Sequence, residues 1–270
     1  MAKPIALVTG ASAGIGYELA KVFAENGYDL IVSARREERL QQLAEDVGSL
    51  CSVDIVVADL GKARGPATLL EAVAKLGKPI DVLVNNAGIA ASGPFQSLTR
   101  SQVKSILQLN IRALTELTYE VLPDMIARGS GKILNVASVV SFQPVPGMSL
   151  YAASKAFVLS LTESLSEDLK GSGVTATALC PGPTRTEMVA DIQNMELAGP
   201  FMSEARQVAQ EGFRACLSGE VVRVPGLMNQ AMVTWTQYQP RWLVRFLSGL
   251  AARNSFNSVN MDQTKPSMPE

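Results

Sequence analysis

Six short runs of apolar and β-branched residues recur along this chain, spaced widely enough to hold a helix between each pair. That rhythm constrains the fold more than any other feature. The runs are IALVT (Ile5 to Thr9), LIVS (Leu30 to Ser33), DIVVA (Asp54 to Ala58), DVLVN (Asp81 to Asn85), KILNVA (Lys132 to Ala137) and VTATALC (Val174 to Cys180). They are nearly continuous in apolar character rather than alternating, as expected of strands covered on both faces. Helical patterns fill the gaps, among them Ile15 to Asn26, Glu37 to Val47, Gln102 to Arg128 and Tyr151 to Lys170. Strand and helix in strict alternation predict a parallel sheet wrapped by helices.

The 270 residues contain no internal repeat, no low-complexity block and no linker rich in Pro, Gly or Ser, so one domain over 1–255 is expected. After Cys180 the rhythm fades. The stretch 183–220 is expected to hold a substrate lid, 227–253 a helical extension, and 256–270 a flexible tail.

Composition excludes several classes of function. Lys and Arg number 24 and Asp and Glu 25, a net charge of -1 that gives no reason to expect nucleic acid or an anionic membrane as the main partner. Cys51, Cys180 and Cys216 are far apart and form no CxxC pair, which points to neither a disulfide framework nor a zinc site and fits a reducing, cytoplasmic location. The start, MAKP, runs straight into the first strand, so no secretory signal is expected. Histidine is absent altogether, which removes every His-dependent triad and His-ligated metal. No metal site is expected, and proton transfer near neutral pH falls to Tyr, Lys, Cys or a carboxylate.

Directly after the first strand comes TGASAGIG, Thr9 to Gly16. A glycine-rich turn between a strand and a helix lets backbone N–H groups approach a pyrophosphate, which the helix N-terminus then stabilises. Gly10, Ser12, Ala13, Gly14, Ile15 and Gly16 are therefore candidate phosphate-binding positions in a single doubly wound, Rossmann-type α/β domain with a parallel sheet of about seven strands and helices on both faces. Further on, Tyr151 and Lys155 are four apart in a helical pattern and so share one face. A phenol with an ordinary pKa near 10 becomes a usable acid or base when an ammonium favours its anion. Ser138, at the end of the fifth strand, could hold the same reacting oxygen as charge develops on it.

In order along the chain, TGASAGIG, ADL (Ala58 to Leu60), NNAG (Asn85 to Gly88), Asn110, Ser138, YAASK (Tyr151 to Lys155) and PGPTRTEM (Pro181 to Met188) resemble the short-chain dehydrogenases/reductases, from about Lys3 to about Met188. The resemblance implies hydride transfer between a nicotinamide cofactor and a carbonyl or alcohol. It implies that Lys155 also binds the nicotinamide ribose and that Asn110 holds a water linking Lys155 to solvent. Asp59 and Leu60 would hold adenine. Asn86, Ala87 and Gly88 would line the cofactor channel, and Pro181, Gly182, Thr184 and Thr186 would hold the carboxamide and diphosphate. It also implies a homodimer or homotetramer built on the two long helices.

The second strand ends in Arg35 and Arg36, where an NAD-binding chain carries an acid for the ribose 2′-OH. Two guanidiniums there favour NADP, with NAD as the alternative. Ser138, Val140, Phe142, Tyr151 and Met188 are the candidate substrate contacts, mostly apolar, and suit a 3-oxoacyl, steroid or aryl ketone. Contact of the terminal helix with a membrane surface is a further option. The competing readings are an NAD-dependent alcohol dehydrogenase, an epimerase or dehydratase, and a non-catalytic NADP-binding protein.

Overall fold

The computed structural model describes residues 3–187 and 202–250. Seven strands form one parallel sheet in the order β3-β2-β1-β4-β5-β6-β9. These are β1 (Ile5–Thr9), β2 (Asp29–Ala34), β3 (Val53–Val57), β4 (Val82–Asn85), β5 (Gly131–Val136), β6 (Val174–Leu179) and β9 (Val222–Arg223). The six expected strands occur within one or two residues of their predicted bounds. The seventh has only two residues, too few to leave a pattern, and exists because Ala178 and Leu179 offer it a ladder. A second, two-stranded sheet joins β7 (Thr184–Arg185) to β8 (Ser203–Glu204).

Successive residues of a strand feed opposite layers. In β1, Ala6 and Val8 pack with the helices α1 (Gly14–Glu25) and α2 (Glu37–Val47), while Ile5 and Leu7 pack with α3 (Gly65–Leu76) and the helix α5 (Leu114–Arg128). The α6 helix (Ser149–Asp168) closes the second layer through Val158 and Leu159.

The first layer has one member that the sequence pattern assigns elsewhere. The α7 helix (Ala205–Ser218) buries Val208, Ala209, Phe213 and Cys216 against α1, and Phe213 meets Phe23 edge-on at 4.9 Å. Aromatic pairs of this kind add about 0.5–1.5 kcal/mol beyond their area. Of the stretch 183–220 expected to hold a lid, residues 205–218 are packed fold, with an apolar stripe at helical spacing.

The predicted helix Gln102 to Arg128 is also corrected. It begins with α4 (Arg100–Ile106), capped by Thr99 and Gln102 in a reciprocal capping box. It then passes through a π-helical turn, Leu107–Ala113, before continuing as α5. The π turn leaves the run of helical residues unbroken, so a single helix spanning both parts is what the sequence suggests.

The strand order reverses between β1 and β4, the switch point at which doubly wound sheets open a crevice beyond their carboxyl ends. The glycine loop after β1 and Asn86 to Gly88 after β4 flank that crevice. Cys51, Cys180 and Cys216 are buried and free.

Candidate active site

Thr9 and Asn86 clamp the two sides of the crevice. The Thr9 hydroxyl donates to the Val84 carbonyl and accepts from the backbone N–H groups of Asn86 and Ala87, at 3.0 and 3.1 Å. The Asn86 amide returns across the gap to the carbonyls of Thr9 and Gly10. Gly16 is obligatory on contact grounds: a Cβ there would lie 2.2 Å from the Asn86 Nδ2 and 2.4 Å from the Gly10 carbonyl. Gly10, at φ 66°, adopts the left-handed turn that brings the loop to this clamp.

Asn85 faces the other way. Its Nδ2 donates to Thr118 in α5 and to Asn135 in β5, and the Asn135 amide donates to Thr162 in α6. This buried polar chain ties two strands to two helices and holds the level at which β4 and β5 end.

The loop itself fits a phosphate ligand. At the N-terminus of α1, Ala13 supplies no side-chain cap and the first turn carries no acid. That end presents N–H groups without intrahelical partners and a positive dipole. Thr186 lies against Gly14, where a Cβ would come within 2.9 Å of its methyl group. Pro181, Gly182 and Thr184 follow β6 at the same end of the sheet, with Thr184 donating to the Gly182 carbonyl. Asp59 accepts from the Gly61 N–H, which fixes the turn after β3, and Leu60 is buried beside it.

The reacting group lies at the ends of β5 and α6. Lys155 is buried, and its Nζ donates to the Val136 carbonyl at 2.7 Å, 5.9 Å from the centre of the Tyr151 ring. Burial brings the Lys155 pKa down to about 8, and no carboxylate pairs with it among the described residues. Burial likewise raises the Tyr151 pKa, and a hydrogen bond with Ser138 opposes that rise. Among the described residues the Ser138 hydroxyl otherwise makes long contacts, 3.4 Å to the Pro181 carbonyl and 3.3 Å from the Val140 N–H. Bonds that long are weak, which leaves the hydroxyl able to turn toward a ligand oxygen.

Asn110 sits in the π turn and is almost fully engaged. It accepts from the Ile89 N–H at 2.9 Å and donates to the Ile89 carbonyl and to Ser154 Oγ. Ser154 in turn donates to the Tyr151 carbonyl. A side chain at Gly88 would begin 3.4 Å from both Asn110 Oδ1 and Lys155 Nζ, so the glycine keeps the space between them open.

Beyond the end of β2 Arg36 donates to Glu187 at 2.7 Å and to Ser12 Oγ at 3.2 Å. Arg35 points to solvent and makes no hydrogen bond or ion pair among the described residues. Val140 and Phe142 lie on a 3-10 turn, Val139–Phe142, next to Ser138. Met188 lies outside the described residues.

Most of the candidate site residues thus lie at the carboxyl end of the sheet on either side of the switch point, while Arg35 faces solvent. Sequence patterns do not single out Thr9, Ser154 and Glu187, although Ser154 stands inside YAASK at a spacing that returns it to the Tyr151 carbonyl.

The sequence model of the short chain dehydrogenase family matches residues 4–197. The chain belongs to that family. Sulfoacetaldehyde reductase 2 of Chromohalobacter salexigens is 38% identical over 185 residues, which is 68% of this chain and 73% of that one. Among solved structures, a short-chain dehydrogenase from Sphingobium yanoikuyae in complex with NADPH is 32% identical, with a TM-score of 0.78, covering 99% of this chain and 98% of that chain. The bulky-bulky ketone specific alcohol dehydrogenase from Comamonas testosteroni is 30% identical, with a TM-score of 0.74, covering 88% and 95%. This short chain dehydrogenase is thus an oxidoreductase, with Tyr151 and the buried Lys155 at the carboxyl end of the same sheet as the glycine loop.

Proposed function

We propose that the enzyme reduces a ketone to a secondary alcohol with NADPH, and runs the reverse reaction, on an apolar substrate of the 3-oxoacyl, steroid or aryl ketone type. The buried Lys155 held beneath Tyr151, with no acid partner among the described residues, carries this reading. An ammonium so placed is complemented by a phenolate, so it favours the charge that Tyr151 acquires on giving up its proton.

When bound, NADPH supplies the hydride. Tyr151 donates its phenolic proton to the carbonyl oxygen, and in oxidation takes it back. Ser138 donates to the same oxygen while negative charge builds on it. Lys155 stabilises the phenolate and can return a proton to it, and Gly88 leaves the passage between Lys155 and Asn110 open. Gly10 to Gly16 would hold the diphosphate, Arg35 and Arg36 the 2′-phosphate, Asp59 and Leu60 the adenine, Thr184 and Thr186 the nicotinamide end. Val140 and Phe142 give the substrate side its apolar wall. The NADPH-bound and bulky-ketone neighbours support the choice of cofactor and substrate class.

The Tyr151→Phe variant tests the mechanism. Turnover of a ketone that the parent reduces should fall by at least about a thousandfold, while NADPH affinity stays within a few fold. Near-normal turnover would refute the assignment. A homo-oligomer through α4, α5 and α6 is part of the same reading, supported by the exposed Leu107, Tyr119, Ile126 and Phe157 on those segments. A monomer in light scattering at micromolar concentration would refute that part alone.

A further inference from the structure

Two consecutive helices near the end of the described chain pack on the fold through one side and leave an apolar face outside it. The α8 helix (Leu227–Tyr238) buries Val233 and Thr236 and turns Met232, Trp235 and Tyr238 outward. Pro240 then starts a second helical stretch, 241–250, accepting from the N–H groups of Leu243 and Val244. This stretch buries Val244 and exposes Trp242, Phe246 and Leu250 at 63%, 56% and 47%. Each set is spaced by three or four residues, so each helix has one apolar face turned away from the protein. Faces of this extent on a folded surface mark an interaction site.

Charge decides what the face meets. Residues 227–250 hold Arg241 and Arg245 and no acidic residue, in a chain whose acids outnumber its bases. Both arginines are exposed and precede Trp242 and Phe246 by one residue each. A second copy placed on this face by two-fold symmetry would bring the same arginines into one interface with no carboxylate of the segment to answer them. An anionic lipid surface answers them directly. Aromatic and long apolar side chains on one face with arginines at its margin are what an interfacial helix needs to sit at the headgroup boundary. No helix among the described residues is long and apolar enough to cross a membrane.

The position is also specific. This segment lies beyond the matched family region of residues 4–197. Asn229 packs where a side chain at Gly182 would begin, within 2.5 Å of that point, and α8 touches the 3-10 turn that carries Val140 and Phe142. We infer that residues 227–250 form a peripheral docking surface for an anionic lipid bilayer, anchored beside the substrate side of the crevice. The inference stands whether or not the substrate class proposed above is right.

Vesicles of phosphatidylcholine alone and with one third phosphatidylglycerol, mixed with the full chain, test it by co-sedimentation and Trp emission. The protein should sediment with the anionic vesicles, with a blue-shifted emission, and be released by salt. Replacing Arg241 or Arg245 with Ser should weaken binding about fivefold each. The double variant Trp242→Glu/Phe246→Glu should lose binding at least about tenfold with NADPH affinity unchanged, because both side chains are exposed and away from the loop that holds the cofactor. Failure to sediment with anionic vesicles would overturn the proposal. So would an oligomer in lipid-free buffer that the double variant splits while vesicle binding is absent, since a second copy would then cover the face.

Discussion

Arg36 and Glu187, 151 positions apart in the chain, meet at 2.7 Å at the corner where the end of β2 faces the glycine loop. Arg39 adds a looser contact to the same carboxylate, and Arg36 also holds Ser12 in the loop. Glu187 therefore occupies guanidinium donors that a ribose 2′-phosphate would use.

Both partners of this pair are about half exposed, so the pair is worth no more than about 1 kcal/mol and a phosphate dianion can displace the carboxylate. Replacing Glu187 with Gln should strengthen NADPH binding by a few fold and leave NADH unchanged. Arg36→Ala should weaken NADPH by about ten- to a hundredfold, again without affecting NADH. Arg35→Asp should turn the preference toward NADH. Titration of both cofactors against each variant by calorimetry reads all three, and an Arg36→Ala enzyme with parental NADPH affinity would mean that the phosphate is held elsewhere.

A hydrogen bond with Ser138 lowers the Tyr151 pKa against the effect of burial. In alcohol oxidation Tyr151 must be ionised, so the rate rises with pH through its apparent pKa. Ser138→Ala should lower kcat by about a hundred- to a thousandfold and move that rising limb to higher pH. A lower rate with the limb unmoved would restrict Ser138 to holding substrate.

Lys155 links the site to stability. Its folded pKa, about 8, lies below the ordinary value of 10.5, so between those two pH values the unfolded chain binds a proton that the folded chain does not. Stability from this group therefore rises with pH across that window and is flat below it. Compared with Lys155→Met, the parent should gain up to roughly 3 kcal/mol between pH 8 and pH 10.5. The comparison cancels the buried thiol Cys216, whose pKa near 12 gives an opposite slope above pH 9, and cancels Cys180 in part, because Lys155 itself lowers the pKa of that thiol, which stands near 12. Urea midpoints measured on both proteins at pH 7 to 10 provide the test, and parallel curves would show that the ammonium is solvated in the folded state.

Interactions within a few residues are legible in the sequence itself. Strand runs covered on both faces, the glycine turn after the first of them, and the four-residue spacing of Tyr151 and Lys155 each depend on backbone geometry that a short stretch carries alone. Partners that only packing brings together are not legible there. The Thr9–Asn86 clamp spans 77 positions and Arg36–Glu187 spans 151. The two-residue β9 has no pattern of its own and takes its strand form from β6. The π turn at Asn110 keeps an ordinary helical pattern in sequence while turning the amide toward Ile89. Amphipathic stripes tell which residues seek burial but not what buries them, so α7 and α8 read alike until the sheet is assembled. Tertiary structure then placed Phe213 against Phe23 in the core and left Trp235 and Trp242 exposed, because α7 packs on α1 whereas α8 packs at the 3-10 turn and the stretch after it buries Val244 instead.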